Sequence, residues 1–500
     1  MRTGRALLVA LLAAAPAAAA EGVPAHPRRL EYPPWQFELP AAERLRVELP
    51  RGAVLYLVED DTLPLVEVAA ALQVGVFLDP PGRAGLARLT GAMLRRGGTE
   101  RLSPEEFDRA VDALGARIAA GVGETRGGAS LSATRWTLEP ALDLFFEMLS
   151  RPRFDPARLE LSRRNLVEAL ERRNDDPLDI LEREWQWLLF GRDHFSTRPP
   201  TPATVGGATR DEIVAFHRRH FRPQSLVLAI AGDVRREELV PRLARRISDW
   251  PEAGGEAPGA SAAWPPAAPV HEPSPGLYLA RSDTPQAKVL LGHRSGPGDW
   301  SERERVALQL VNELLGGSDA VSRIPGRLRA AEGLVYRADA HFDTGLPWPA
   351  DFRVFFEADS AKVPTAVSLA RQEIDRLRTR PPHPKELEVV RRAALSSLRL
   401  GFDTAEKIAG WYAEDELLGR PAGHWERRYR LLESTSGEEV RRAARRWLRP
   451  GELVVLVVGR PAELLGEKPG ESALERAVGA PAVVLPRRDP VTLAPLPEDL

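Results

Sequence analysis

The sequence predicts an α+β protein made of two tandem homologous domains, each an antiparallel sheet with helices packed on one face. Two stretches rich in Pro, Gly and Ala, residues 251–275 and 466–500, leave two blocks of similar length, residues 39–250 and 276–465. In each block, apolar runs of strand length alternate with amphipathic helical patterns. The same motifs recur in the same order in both blocks, which indicates an internal duplication.

The repeat is clearest near the end of each block. The motif Phe-Arg-Pro at 221–223, followed by an apolar run and a glycine, returns as Leu-Arg-Pro at 448–450 at an offset of 227. Each copy predicts an amphipathic helix that stops at proline and leads into a buried strand. Upstream, the pattern Leu-Glu-x-x-Arg-Arg at 159–164 recurs at 387–392, an offset of 228.

The local pattern of the first block predicts each element in turn, and the second block is expected to repeat the plan. Strands are short apolar or alternating runs, and several helices start at a proline in the first helical position. Strands are expected at 46–49, 53–59, 65–74, 116–122, 127–133 and 226–231, and helices at 84–96 and 104–114 and from Leu138, Pro156 and Pro177 onward.

Composition narrows the class of function. The 69 basic and 71 acidic residues give a net charge of −2, so no global positive field favours nucleic acid as a partner. The chain has no cysteine, which excludes disulfides, zinc ribbons, iron–sulfur sites and thiol nucleophiles. A metal ion would need His, Asp or Glu ligands.

Residues 1–20 are predicted to be a secretory signal peptide. Arg2 and Arg5 precede an apolar stretch, residues 6–20, that ends in small alanines and is shorter than a membrane span. The alternative is an uncleaved anchor, which the weakly apolar alanines disfavour. We therefore expect an exported protein, most simply periplasmic, with no membrane span once the signal is removed.

Three motifs resemble the M16 (pitrilysin, insulinase-like) peptidase family. The segment GLARLTGAM at 85–93, with Gly-Thr at 98–99, resembles the family's G-L-A-H-x-x-E-H-M…G-T. Phe-His at 216–217, together with the following Arg-Pro and Gly-Asp, resembles its F-H…R-P…G-D close. The pattern R-x-x-E-G-L-x-Y at 329–336, with Gly-Gly and Ser-Arg ahead of it, resembles the signature of the family's C-terminal domain. The resemblance implies two tandem M16-type (LuxS/MPP-like metallohydrolase) domains.

The zinc chemistry of that family is missing from this chain. The family binds zinc through two histidines four apart on one helix, with a glutamate before the second as general base and a later glutamate as third ligand. Here the first three positions are Arg88, Gly91 and Ala92, and the third-ligand position falls on Ala169, beside Glu168. Glycine and alanine have no donor atoms, and arginine repels a dication. The chain is therefore expected to hold no metal and no cofactor, with zinc only in a partner subunit.

A pair of histidines elsewhere in the chain is another candidate metal site. His217 and His220 are three apart on a predicted helix and could both face one ion. Their neighbours Arg218, Arg219 and Arg222 are positive and no carboxylate is close in sequence. This pattern favours a solvated helix face.

The second block contains an arginine and a tyrosine seven residues apart, as the family motif does. In the family, a pair at this spacing faces the zinc site across a closed chamber and holds the substrate backbone. The resemblance implies that Arg329 and Tyr336 bind peptide substrate, because a guanidinium can grip carbonyl oxygens and a phenol can donate to an oxyanion. From the residues alone, Arg329 could equally be a helix-end residue and Tyr336 an ordinary strand aromatic.

Two functions from different classes follow. The first is the non-catalytic, substrate-binding subunit of an exported heterodimeric M16-type zinc metallopeptidase acting on peptides, whose partner carries an intact H-x-x-E-H. The second is an inactive scaffold or peptide-binding protein with no role in proteolysis. A third, weaker hypothesis is that Arg88 supplies a fixed positive charge at the former zinc position and binds a peptide terminus.

Overall fold

The computed structural model describes residues 38–252, 270–295, 300–317, 321–343, 350–466 and 470–496. The predicted signal peptide, residues 1–20, and most of the predicted linker, at 253–269, lie outside these ranges. The predicted α+β class with two tandem domains is confirmed, because the described residues form two six-stranded sheets with helices packed against them.

The strands and helices of the first half follow the sequence pattern closely. The strands are β1 (Arg46–Glu48), β2 (Val54–Glu59), β3 (Leu65–Leu72), β4 (Arg117–Val122), β5 (Gly127–Thr134) and β6 (Leu226–Gly232). The helices are α1 (Ala42–Leu45), α2 (Leu86–Arg96), α3 (Pro104–Ala113), α4 (Leu138–Ser150), α5 (Pro156–Glu171), α6 (Pro177–Phe190), α7 (Pro202–Gly206), α8 (Arg210–His220) and α9 (Arg236–Ser248). The helix starts predicted at Pro156 and Pro177 are confirmed. The side chains of Asp155 and Asp176 cap these helices by accepting hydrogen bonds from backbone N–H groups of the first turn.

The second half repeats this plan. Its strands are β7 (Gly276–Arg281), β8 (Ala287–Arg294), β9 (Val335–Phe342), β10 (Asp351–Ala358), β11 (Val454–Gly459) and β12 (Ala482–Val484). Its helices are α10 (Glu302–Leu315), α11 (Arg323–Pro325), α12 (Val363–Thr379), α13 (Pro384–Leu400), α14 (Ala405–Leu418), α15 (His424–Ser434), α16 (Gly437–Trp447), α17 (Pro461–Leu465) and α18 (Ala473–Val478). Helices α8 and α16 both begin with a capping box, Thr209 with Glu212 and Ser436 with Glu439.

The two sheets share five corresponding strands in the same order and differ in one edge strand, which is the N-terminal β1 in the first sheet and the C-terminal β12 in the second. In the first, the order is β1-β2-β6-β3-β5-β4, and in the second it is β12-β7-β11-β8-β10-β9. The neighbours pair antiparallel, except β2 with β6, β7 with β11, and β7 with β12. On each sheet, the inward-facing residues of successive strands form a hydrophobic core with the helices of the same half. Strands β4 and β9 therefore form corresponding edges of the two sheets.

One helix of each half packs on the other half's sheet. Helix α6 lies against β8 and β11, and α14 lies against β2 and β6. The two helices have the same length and occupy equivalent places in the repeat, since Pro177 and Ala405 are 228 residues apart. The exchange covers the sheet faces that the helices of the same half leave open, and it joins the two halves.

The C-terminal tail is more ordered than its composition indicated. Residues 466–500 were expected to be linker or poorly packed, but α18 buries Leu474 and β12 adds a strand beside β7. Further on, Arg488 donates to both carboxylate oxygens of Glu184 on α6, at 2.7 and 3.2 Å, with both side chains buried. Proline content misled the prediction because prolines between short elements do not prevent those elements from packing.

None of the described helices combines the length and the apolar character needed to cross a membrane.

Candidate functional site

Helix α2 carries the positions where the family's zinc ligands would stand. It begins after Gly85, whose φ of +98° is accessible to glycine, and both carboxylate oxygens of Asp79 accept from the backbone N–H groups of Gly85 and Ala87, at 2.8 and 2.7 Å. Burial raises the pKa of Asp79, although these two hydrogen bonds oppose the rise. Leu86, Leu89 and Met93 face the core, as the sequence predicts, so the helix is held by packing.

The side of α2 that faces strand β4 has no room for a glutamate at position 91. A Cβ added to Gly91 would lie 2.5 Å from the backbone nitrogen of Val122 and 2.8 Å from the carbonyl carbon of Gly121. These distances are below van der Waals contact, so the backbone of edge strand β4 occupies the space of the missing side chain. The residues present therefore do not fit a zinc ion bound in the manner of the family.

The other positions of the family's zinc ligands also do not fit a zinc ion. Arg88 is exposed, and its charge acts on the carboxylates of Asp79 and Glu124. Ala169 and Glu168 are exposed on α5, and Glu168 accepts from Arg172 at 2.6 Å. Within the described parts of the chain, no cluster of three or more His, Asp or Glu side chains could hold a metal ion.

The prediction of a solvated face at His217 is wrong. His217 is 5% exposed, its ring lies against Phe154 and Phe221, and its Nε2 is 2.8 Å from the carbonyl oxygen of Leu149. Burial lowers the pKa of His217 to about 4, so the ring is neutral at pH 7 and donates to that carbonyl. The neighbouring arginines misled the prediction, because Arg218 and Arg219 are exposed whereas the ring of His217 is buried. The histidine of the F-H motif is a packing residue.

Arg329 and Tyr336 are brought together by two irregular pieces of backbone. Arg329 lies in a π-helical turn, Gly326–Ala331, that is anchored by the buried side chain of Leu328. Two residues after this turn, Gly333 has a φ of +60°, and the chain then enters edge strand β9. The Arg329 guanidinium carbon lies 5.4 Å from the centre of the Tyr336 ring, in cation–π contact.

The tyrosine is presented to solvent by a β-bulge. The pairing of β9 with β10 shifts between Phe356 and Ala358, so Tyr336 and Arg337 together oppose one residue, Glu357. Tyr336 is 82% exposed, which is unusual for a large aromatic side chain. π-Helical turns and β-bulges are both frequent at functional sites, because they aim side chains that a regular element would not. The assignment of Arg329 and Tyr336 as peptide-binding residues stays a prediction.

Residues 207–394 match the family model described as the M16 peptidase inactive domain. In sequence, the chain is similar to M16 peptidases over part of its length. Its match to an uncharacterized zinc protease of Mycobacterium leprae has 29% identity and covers 60% of this chain and 65% of that protein. The chain therefore spans about 65% of the length of this curated relative.

Solved structures support the same fold. The M16 inactive domain from Pseudomonas fluorescens superimposes with a TM-score of 0.72 and 21% identity, over 83% of this chain and 97% of that one. The periplasmic protease PqqL from Escherichia coli superimposes with a TM-score of 0.67 and 15% identity, over 85% of this chain and 46% of that one. At these identities the likeness concerns the fold alone.

The sequence predicted that helix α2 lacks the zinc ligands, but it did not predict which segments pack beside that helix. The approach of β4 to Gly91 is a contact between segments that are distant in sequence. The glycine itself was the available signal, because a glycine inside a helix often marks a close backbone approach. The π-helical turn at Arg329 and the bulge at Tyr336 have no local sequence signal beyond Gly333.

Proposed function

We propose that this protein is the non-catalytic, substrate-binding subunit of an exported heterodimeric M16-type zinc metallopeptidase that acts on peptides. The observation that carries the proposal is a contrast between two sites in one chain. The position of the zinc-site glutamate is closed by β4 at Gly91, whereas Arg329 and Tyr336 are stacked together and exposed. Hydrolysis would therefore need a partner chain that supplies zinc and its H-x-x-E-H motif.

The exposed pair has the chemistry for holding a peptide backbone. A guanidinium can donate two hydrogen bonds to carbonyl oxygens, and a phenol can donate to the charge that develops on a carbonyl oxygen during attack. The cation–π contact limits the rotamers of both side chains, so less conformational entropy is lost when a peptide binds. An exposed sheet edge at β9 would offer backbone groups to an extended peptide beside the pair.

The size of the chain supports a two-chain enzyme. This chain superimposes on 46% of the periplasmic protease from Escherichia coli, so that enzyme contains about twice the structure present here. A partner of similar size would complete the same arrangement from two polypeptides. The periplasmic relative and the apolar N-terminal stretch, residues 6–20, are also the support for export.

The proposal is tested by reconstitution. The full chain is co-expressed with an M16 chain that has an intact H-x-x-E-H, and cleavage of a fluorogenic peptide library is measured for the pair and for each chain alone. We expect the pair to cleave at least about tenfold faster than the zinc-bearing chain alone, with Arg329→Ala and Tyr336→Phe each removing most of that gain. Arg430→Ala, which changes an exposed arginine on α15, is the matched control and should leave the gain unchanged.

Two results would overturn the proposal. One is a pair that is no more active than the zinc-bearing chain alone, which would favour the scaffold function. The other is full joint activity in the Arg329→Ala and Tyr336→Phe variants. Stoichiometric zinc in the isolated chain, with peptidase activity that a chelator abolishes, would likewise overturn the non-catalytic role.

A further inference from the structure

A cavity on the first half is lined by no residue of α2 and by neither Arg329 nor Tyr336. It encloses about 910 Å³ between the turn from β1 to β2, the segment after α4, helix α8 and the segment after α9. Its apolar wall includes Phe154, Phe221 and Trp250, all buried. The function proposed above uses no part of this cavity.

Arginines from separate segments surround the cavity. Five of them have no carboxylate partner among the described residues: Arg51, Arg151, Arg153, Arg210 and Arg218. Two carboxylates, Glu100 and Glu252, also lie along the wall, so positive charge is in excess. Like charges gathered at one place repel each other, and this cost is offset when an anion binds among them.

The side chains are held by the backbone. Arg151 donates to the carbonyl oxygen of Asp249 at 2.6 Å, and Arg210 donates to those of Arg153 and Phe154 at 2.7 and 3.0 Å. Carbonyl oxygens orient a guanidinium without neutralising it, and each guanidinium has five N–H donors. The remaining donors are therefore positioned in advance of any ligand, which lowers the entropy lost on binding.

Backbone strain is concentrated at the same place. Arg51 has a φ of +61° and Phe154 a φ of +52°, and these are two of the three non-glycine residues with positive φ in the described chain. Both line this cavity. Bulky residues adopt this conformation only where surrounding contacts enforce it, and such strain clusters at ligand sites.

We propose that this cavity, the arginine pocket, binds a small polyanion that carries two or more phosphate or carboxylate groups. Guanidinium forks match both groups bidentately, so the shared chemistry is a cluster of oxyanions. The volume is large enough for several such groups on one molecule. Arg218, which donates no hydrogen bond to any described residue and is exposed, is free of a structural role that would compete with binding.

The test is a calorimetric titration of the full chain with tripolyphosphate and, separately, with citrate, at about 50 mM and about 200 mM NaCl. We expect one-to-one binding that weakens at the higher salt concentration. Arg218→Gln should weaken it about tenfold, the loss expected for one charge-assisted contact. The matched control is Arg445→Gln, an exposed arginine 227 residues later at the equivalent place on α16, which should bind as the native chain does.

A second variant separates ligand contact from folding. Arg151→Lys keeps the positive charge and one donor but removes the fork, so it should fold normally and still bind several-fold more weakly. Binding of tripolyphosphate alone identifies phosphate as the recognised group, and binding of citrate alone identifies carboxylate. Absence of heat with both probes, or equal affinity of the native chain, Arg218→Gln and Arg151→Lys, would overturn the proposal. The titration needs no peptidase partner, so its failure is independent of the function proposed above.

Discussion

The two contacts made by the exchanged helices differ in packing, although they occupy equivalent places in the repeat. Helix α6 fills the face of the second sheet with Leu181, Trp185 and Leu189, all fully buried. Helix α14 leaves a cavity of about 940 Å³ against the first sheet, whose strands line it mainly with alanine and glycine. The first contact is an apolar core, and the second is an open space bridged at its side by polar groups.

The difference can be followed position by position through the repeat. Trp185 on α6 corresponds to Ala413 on α14, at the offset of 228. In the second sheet, Leu290 pairs with Leu456 and Phe355, whereas in the first sheet Ala69 pairs with Ala229 and Ser130 at the same places. Four large side chains in one contact are therefore four small ones in the other, which accounts for part of the cavity.

Polar groups help to hold α14 on the first sheet. Glu416 accepts from Nε and Nη2 of Arg46, both at 3.0 Å, and from the Tyr56 hydroxyl at 2.7 Å. A hydrogen bond to a charged group contributes less to stability than a well-packed core does, but its geometry fixes the direction of the helix. A duplicated fold can therefore keep its topology while one of its two contacts between an exchanged helix and a sheet loses its apolar core.

The largest effect is expected at the packed contact. Trp185→Ala removes a fully buried ring and leaves Asp351 without the indole N–H that donates to it at 2.6 Å. We expect a loss of about 3–5 kcal/mol in the free energy of unfolding, measured by urea denaturation. The partly exposed Trp411 on α14 is the matched control, and Trp411→Ala should cost about 1–2 kcal/mol. Equal losses at the two sites would contradict the difference in packing.

An intermediate effect is expected at the polar bridge. Glu416→Gln removes the charge that Arg46 and Tyr56 share, and should lower the free energy of unfolding at pH 7 by about 1–3 kcal/mol. Hydrogen bonds from Arg46 lower the pKa of Glu416 below the ordinary value of 4.5. Its stabilising contribution is therefore complete above that pH and is lost as the pH falls through the lowered pKa.

The pH dependence distinguishes the two contacts. The gap in stability between the native chain and Glu416→Gln should shrink when the pH is lowered from about 7 to about 3.5. At the packed contact, burial raises the pKa of Asp351, so acid relieves the cost of its charge and the sign is opposite. A gap for Glu416→Gln that stays constant across this range would show that Arg46 and Tyr56 do not act through its charge.

The smallest effect is expected from filling the cavity. Ala69→Leu places at the first contact the residue type that Leu290 supplies at the second, and Ala69 is exposed to the cavity. We expect a gain of about 0.5–1.5 kcal/mol in the free energy of unfolding. Ala215→Leu, which adds the same side chain on the exposed face of α8, should give no such gain. A loss at position 69 would mean that the leucine strains the contact instead of filling it.

The sequence predicted much of the fold because the relevant signals are local. The proline starts at 156 and 177 and the alternation in 65–72 depend on neighbouring residues, and the structure has those elements. The exchange of α6 and α14 could not be predicted, because both helices have apolar faces that suit either sheet. His217 shows the same limit: its charged neighbours on the helix suggested solvent, whereas its ring packs between Phe221 at the end of the same helix and Phe154 from a distant segment.

By itself, the sequence determined that positions 88, 91 and 92 cannot supply zinc ligands, and that the chain is a duplicated α+β protein, because donor atoms and repeats are properties of the residues themselves. Only the tertiary structure decided that β4 closes the space at Gly91, that Arg329 stacks on Tyr336, and that unneutralised arginines meet in one pocket. The closure at Gly91 and the pocket join segments far apart in the chain, and the stacking depends on an irregular turn and a bulge, so all three depend on how the molecule packs.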